Sequence, residues 1–315
     1  MKKLLYIFSL ALLVTSCVKD ITIDLPPYQP KIVVEGKIEP GYPPFVLLSN
    51  SLDLFASTSV ADLENNFITD AQVFVNNGVD TVQLILICTD SIPAQYQPIV
   101  AELLGYSPSE LQNVNICAYS TFDPNWFGVV GTTYNLEIFH NGEVFRSTTD
   151  LLFPVPLDSA YFAERPSLPG FGYMQAELTD PAGSGDAYRW ETKRLNHYSD
   201  GSPKDPVLLA PFNSSFDDQF FDGLQFSWYY DNPGSYRDST VEDSKKGFYQ
   251  IGDTVVIKWS KVNHDVYQFL RYADAQIANG GSPFASPVNV PSNVDNGALG
   301  VWAGYSPIYD TVICE

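Results

Sequence analysis

Apolar residues in this chain recur mostly with a period of two, the spacing of half-buried strands rather than helices. The alternation predicts strands over Lys31–Ile38 and Phe45–Ser49, joined by an irregular loop that holds Pro40-Gly41 and Pro43-Pro44. It continues over Ala71–Val75 and Thr81–Cys88, with Asn77-Gly78 as a hairpin turn between them. Asn115–Ser120, Thr133–Phe139 and Glu143–Thr149 complete the first half, the last two turning at His140-Asn141-Gly142. Between Cys88 and Cys117 the texture changes: Ile99–Leu104 ends at Gly105, and Ser107 before Pro108 reads as a helix N-cap. Two short helices on a sheet edge are expected there. Phe122–Gly131 is expected to be a loop that exposes Trp126 and Phe127.

Pro154 and Pro156 mark a boundary. Beyond it, strands are predicted over Asp158–Ala163, Tyr173–Leu178, Ala187–Leu195, Phe220–Tyr230 and Thr254–Ser260, with a short one near Phe248-Tyr249. Asn196–Asp218 shows no periodicity. Asp265–Ala278 is the clearest helix, with Val266, Phe269, Leu270, Ala273 and Ile277 on one face and Asn279-Gly280 as its stop. Two closing strands are predicted over Ala298–Ala303 and Ile308–Ile313. The architecture expected is therefore all-β. Residues 31–153 read as an immunoglobulin-like or transthyretin-like β-sandwich with a helical insertion at 89–114. Residues 154–315 read as a second β-sandwich or barrel carrying one α-helix near 265–278.

The first sixteen residues depart from this pattern. Lys2 and Lys3 precede an apolar run from Leu4 to Val14, too short to cross a bilayer core that needs roughly 20 residues of helix. That is the anatomy of a signal peptide over residues 1–16. Val14-Thr15-Ser16-Cys17 resembles the lipobox of bacterial lipoproteins, which implies cleavage before Cys17 and acylation of that residue. Two or more acyl chains anchor a protein stably where one does so only marginally. Residues 17–30 then form a tether stiffened by Pro26-Pro27. Val18-Lys19-Asp20 is similar to the lysine-plus-acid signals that send Bacteroidota lipoproteins to the outer face of the outer membrane. A cell-surface location on that membrane is expected, with its periplasmic face as the alternative.

Composition sharpens the picture. The formal charge of −20 repels nucleic-acid phosphates and anionic head groups, so a lipid rather than a basic patch holds the protein at a membrane. Nineteen Tyr and 20 Phe against 2 Met favour sheet over helix. With Cys17 lipidated, an oxidising compartment favours a Cys88–Cys117 disulfide, since each cysteine bounds an apolar run and the segment between them returns to its origin. Cys314 is left free.

Candidate chemistry is sparse. His140, His197 and His264 lie far apart, and no cysteine or histidine spacing suits zinc. Asp217, Asp218 and Asp222 could offer hard oxygen ligands to Ca2+, and Asp180 with Asp186 forms another acidic pair. Among 37 acids such neighbours arise without purpose, and solvated charge is the simpler reading. No catalytic residue, metal or cofactor is expected. The aromatics most suited to contact are Trp126-Phe127 and Trp228-Tyr229-Tyr230, as anchors for a partner protein or platforms for a sugar. The alternative is that they plug the end of a sandwich.

Three stretches carry a wider resemblance: the segment IDLPPYQPKIVVEGKIEPGYPPFVLLSNS behind Cys17, the VNICAYST that closes the insertion, and the C-terminal VPSNVDNGALGVWAGYS. In these the chain resembles a family of Bacteroidota outer-membrane lipoproteins known only as a domain of unknown function. Its members are commonly encoded beside a TonB-dependent receptor. The resemblance implies a non-enzymatic accessory or binding subunit of a TonB-dependent barrel, and it supplies no active residues. A structural or adhesive surface protein is the alternative, with a carbohydrate-binding or carbohydrate-active protein behind it.

Overall fold

The computed structural model describes residues 29–52, 66–97, 100–101, 115–279 and 289–315. The signal segment, Cys17, most of the tether and most of the helical insertion, including Ser107, lie outside the described residues. Within the described part of the insertion, Thr89–Ser91 and Ala94–Tyr96 are 3-10 turns.

Alternation turns into pleat as expected. In β1 (Ile32–Ile38), Ile32, Val34, Gly36 and Ile38 face a core while Glu35 faces out. β1 pairs antiparallel with β2 (Phe45–Asn50). β3 (Gln72–Asn76) and β4 (Thr81–Cys88) form the hairpin at Asn77-Gly78, and β4 also meets β5 (Cys117–Ser120). The first half of β4 pairs with β3 and its second half with β5, so one strand turns a corner between two layers. Cys88 and Cys117 face each other across β4 and β5 and are joined by a disulfide. β6 (Thr133–His140) and β7 (Glu143–Asp150) extend the sheet beyond β3. The residues that β1, β2, β3 and β6 turn inward close one core around Val34, Leu48, Val75 and Leu136.

The same sheet continues through the C-terminal half. It runs through β11 (Ser215–Asp217), β10 (Ala187–Arg194), β14 (Thr254–Val262) and β15 (Leu299–Ile313) into β1, giving an eleven-stranded path that ends at β7. A second sheet is built on β9 (Phe171–Thr179), which pairs with β8 (Ser159–Glu164), β12 (Gln225–Tyr230) and the short β13 (Tyr249–Gln250). It covers a second core around Trp190, Trp259, Met174 and Leu178, rich in stacked and edge-on rings. The helix α1 (His264–Asn279) buries Val266 and Tyr267 against Val262, Val301 and Ala303. Arg189 of β10 reaches Asp274 at 3.2 Å and fixes it to the sheet. The mostly-β class with one long helix matches the expectation.

Three expectations change. Ile277 is not part of the helix's buried stripe but 76% exposed, at the end of an open groove of about 690 Å³ between α1 and the outer face of β1 and β15. Residues 220–224 form a turn, and β12 begins only at Gln225. The two closing strands are one, because Gly304 lets the backbone pass within contact of Asp150: a Cβ there would lie 2.4 Å from its carbonyl oxygen. β15 runs parallel to β1 over Leu299–Gly304 and antiparallel to β14 over Tyr305–Ile313. It therefore contributes Trp302 to the first core and Val312 to the second. The described chain from Lys31 onward forms one compact unit.

Trp302 is fully buried; its ring nitrogen donates to the Tyr134 carbonyl at 3.0 Å, and the ring fills the space that Gly36 leaves. Replacing Trp302 by Ala should lower stability by about 3–5 kcal/mol through the cavity and the orphaned carbonyl. Urea unfolding of the two proteins followed by circular dichroism measures this, and an unchanged midpoint would refute the role given to the ring.

Candidate functional site

A strand divides its side chains between two faces, and β12 shows what that does to a run of three aromatics. Trp228 and Tyr230 turn inward and pack on the Trp190 core, with Trp228 against Phe226 at 4.7 Å between centroids. Tyr229, between them, turns outward and is 63% exposed. Of the five aromatics singled out in the sequence, it alone is strongly exposed. Trp126 was expected on the surface and is buried instead, 9% exposed, with Phe127 half-buried. The reason lies in the 3-10 turn Pro124–Trp126, which Asp123 caps and which rolls the indole back toward the body.

Tyr229 belongs to a concave patch. On β9, Tyr173 points to the same outer face, with its ring 4.8 Å from Tyr229 and tilted by 43°. On the other side, Phe248 lies 4.9 Å from Tyr173 at 51°. Tyr236 borders the patch, 56% exposed. Together with Asp231 and Lys246 these rings line a trough of about 260 Å³. The Tyr173 ring is the one that both Tyr229 and Phe248 contact.

The rim is held by side chains beneath it. Asn232 is buried; its carboxamide oxygen accepts from the amides of Gly234 and Ser235 and so caps the 3-10 turn Pro233–Tyr236. Its amide nitrogen donates to the Phe248 carbonyl at 3.1 Å, which ties the turn to the segment carrying Phe248. Below Gly234 sits a buried two-pronged ion pair between Arg194 and Asp205, at 2.7 and 2.8 Å. A Cβ on Gly234 would fall 2.0 Å from the Asp205 carboxylate, so only glycine fits. The Tyr236 hydroxyl donates to Asp231 at 2.7 Å; that bond, with some burial, pushes its pKa up to about 12. The hydroxyl therefore stays protonated, and Asp231 stays bound to it, throughout the physiological range.

Cations already lie on the rings of this region. The Arg165 guanidinium is 5.2 Å above Phe248, and the Lys245 ammonium 5.5 Å above Phe171. Phe248 also borders a second hollow of about 290 Å³, lined by Arg194, Tyr198, Lys204 and Asp238.

The acidic residues gather differently from the sequence grouping. Asp180, rather than Asp217, joins Asp218 and Asp222, with one oxygen of each within 4.8 Å of the others. Burial raises the Asp180 pKa, opposed by hydrogen bonds from the Tyr188 hydroxyl and the Gly223 amide. Amides of Gly185 and Asp186 donate to Asp218, and that of Gly183 to Asp222. These bonds account for the cluster as the clasp between two loops. The histidines stay apart in role: His140 lies 3.4 Å from Asp70, His264 contacts Gln268, and His197 is exposed.

The chain belongs to a family described as a domain of unknown function, DUF4249, whose model matches residues 18–307. No curated protein matches it.

The two faces of β12 separate cleanly in experiment. Tyr229→Ala should leave stability within about 0.5 kcal/mol of the parent, whereas Trp228→Ala should cost about 3 kcal/mol; denaturant titration distinguishes them, and equal costs would contradict the assignment. A second expectation concerns Cys314, which is 1% exposed and whose thiol is pushed up to about 12, chiefly by burial and then by Asp253. In a Cys17→Ser protein at pH 8, a thiol reagent should find no reactive group in the native state and one after unfolding under non-reducing conditions. Native reaction would place Cys314 at the surface.

Proposed function

We propose that this protein is a non-enzymatic binding subunit, held at the outer face of the outer membrane by an acylated Cys17 and working beside a TonB-dependent transporter. The observation that carries the reading is the trough of Tyr173, Tyr229, Tyr236 and Phe248: two exposed and two half-buried rings gathered in a concavity on a rigid sheet, with two charged groups among them. Soluble proteins seldom leave large rings together in the open unless something covers them. Rings fixed by strand pairing and by the Asn232 cap give contact area at little cost in side-chain freedom. The sequence supports the placement. The lipobox-like start makes Cys17 the first residue of the mature chain, and the family match opens at the next residue, so the family domain follows the anchor directly. Lipid holds the body where a net charge of −20 would otherwise repel it from anionic head groups.

The experiment is to tag the C-terminus, extract native membranes in mild detergent and identify what co-isolates. A TonB-dependent barrel in near-equal amount is expected, and Cys17→Ser should move the protein from the membrane to the soluble fraction. Isolation of the lipoprotein alone, under conditions that keep other outer-membrane complexes intact, would replace the accessory role with a free-standing adhesive one.

A further inference from the structure

We infer that the aromatic trough binds an organic cation, and specifically a quaternary ammonium group. This names the ligand class for the face described above and rests on the reading of that face as a ligand site. Four observations lead to it. First, Tyr173, Tyr229, Tyr236 and Phe248 line one hollow, with Tyr229 and Phe248 tilted at 43° and 51° to the Tyr173 ring. A cation seated in such a hollow is attracted by any ring whose face it lies over.

Second, the hollow holds a carboxylate, Asp231, whose Oδ2 already accepts from Tyr236. A primary ammonium brings three N–H donors that each need an acceptor, and one oxygen of this carboxylate is already engaged by Tyr236. A quaternary ammonium brings none, and its methyl groups suit the rings while its charge is met by Asp231. Third, Lys246 at the rim does not oppose this: its ammonium is 2.7 Å from the Asp243 carboxylate, which neutralises it locally. The Arg165 guanidinium already lies 5.2 Å from the Phe248 ring, so a cation in the trough is received chiefly by Tyr173, Tyr229 and Tyr236, while Lys245 lies over Phe171, outside the lining. Fourth, the chain carries −20, so its field draws cations in and turns anions away. The volume of about 260 Å³ accommodates a small head group rather than a polymer.

The test uses the detergent-solubilised lipoprotein, in a detergent without a choline head group, and calorimetric titration with choline and with 3,3-dimethylbutan-1-ol, its uncharged isostere. Choline should bind saturably and the isostere several-fold more weakly, the loss expected when the charge leaves a partly exposed ring site. Tyr229→Ala should abolish choline binding, Tyr229→Phe should keep it, and Asp231→Asn should weaken it several-fold with the fold intact by near-ultraviolet circular dichroism. Equal binding of choline and its isostere, or no choline binding by the folded protein, would overturn the cation assignment. A panel of neutral oligosaccharides run in parallel separates the two levels of the argument. Saccharide binding lost in Tyr229→Ala would keep the face as a ligand site while removing the cation. If Tyr229→Ala changes the binding of neither class, the face itself is wrong.

Discussion

The fold depends on one strand doing two jobs. β15 leaves the first core at Trp302 and enters the second at Val312, and between those points it changes partner from β1 to β14. Such a strand has a difficulty at the level of Leu299–Gly304, because only one of its edges meets another strand there. Buried backbone groups on the other edge must still find partners. Asn293 supplies them: its side chain accepts from the Trp302 amide at 2.9 Å and donates to the Trp302 carbonyl at 2.9 Å. The Thr149 hydroxyl accepts from the Gly304 amide at 2.7 Å. Side chains thus stand in for a missing strand, and Asn263 does the same for the β7 edge through the Asp150 amide. A further tie crosses the seam. Lys258 of β14 meets Glu39 at 2.7 Å and Glu191 at 3.5 Å, and those two carboxylates hold it charged against the opposing effect of burial.

How far this was readable follows from the range of each signal. Period-two alternation is local, and the strands it marks, such as Thr81–Cys88 and Thr254–Ser260, appear within a residue or two of where the pattern places them. The Cys88–Cys117 bridge was legible because both ends of a returning segment carried a cysteine. What the sequence hid is long-range. Ser306-Pro307 looks like a break, yet both residues lie inside β15, where Pro307 pairs with Ser260. β11 is three residues long and owes its existence to β10, so nothing in its own sequence announces it. Trp126 looked exposed because its neighbours are polar; the Asp123 cap that rotates it inward is a three-residue feature visible only in hindsight. The same holds for the trough. Tyr229 could be named from the sequence, but Tyr173, Tyr236 and Phe248 come from separate elements, and only strand pairing brings them together.

Electrostatics links these levels. Seventeen Lys and Arg face 37 Asp and Glu, and several of the cations are spent inside the structure. Arg194 is committed to Asp205, Lys258 to two glutamates, Lys261 to Asp186 and Arg189 to Asp274. Lys258, Lys261 and Arg189 reach elements distant in sequence, whereas Arg194 ties β10 to the loop that follows it. Because each of these cations is matched by at least one carboxylate, the remaining surface keeps the strong negative charge of the composition, and its field bears on whatever approaches the molecule.

The aromatic face is the place where these constraints meet. Its outward rings exist because their inward neighbours are needed: Trp228 and Tyr230 fill the Trp190 core, and the pleat then obliges Tyr229 to face solvent. That alone would justify an exposed residue there, but not a tyrosine, since serine and glutamine serve at the equivalent outward positions Ser227 and Gln225. Nor would the core require Gly234 to sit against a buried Arg194–Asp205 pair, or Asn232 to spend both ends of its side chain fixing the turn that carries Tyr236. Buried polar groups cost free energy unless they are fully satisfied, and here they are satisfied in a way that also sets the turn of Tyr236 against the segment of Phe248. A loop held this firmly beneath an exposed apolar surface is preorganised, and preorganisation lowers the entropic cost of binding. The physical case for function at this face thus rests on the hidden supports more than on the rings themselves.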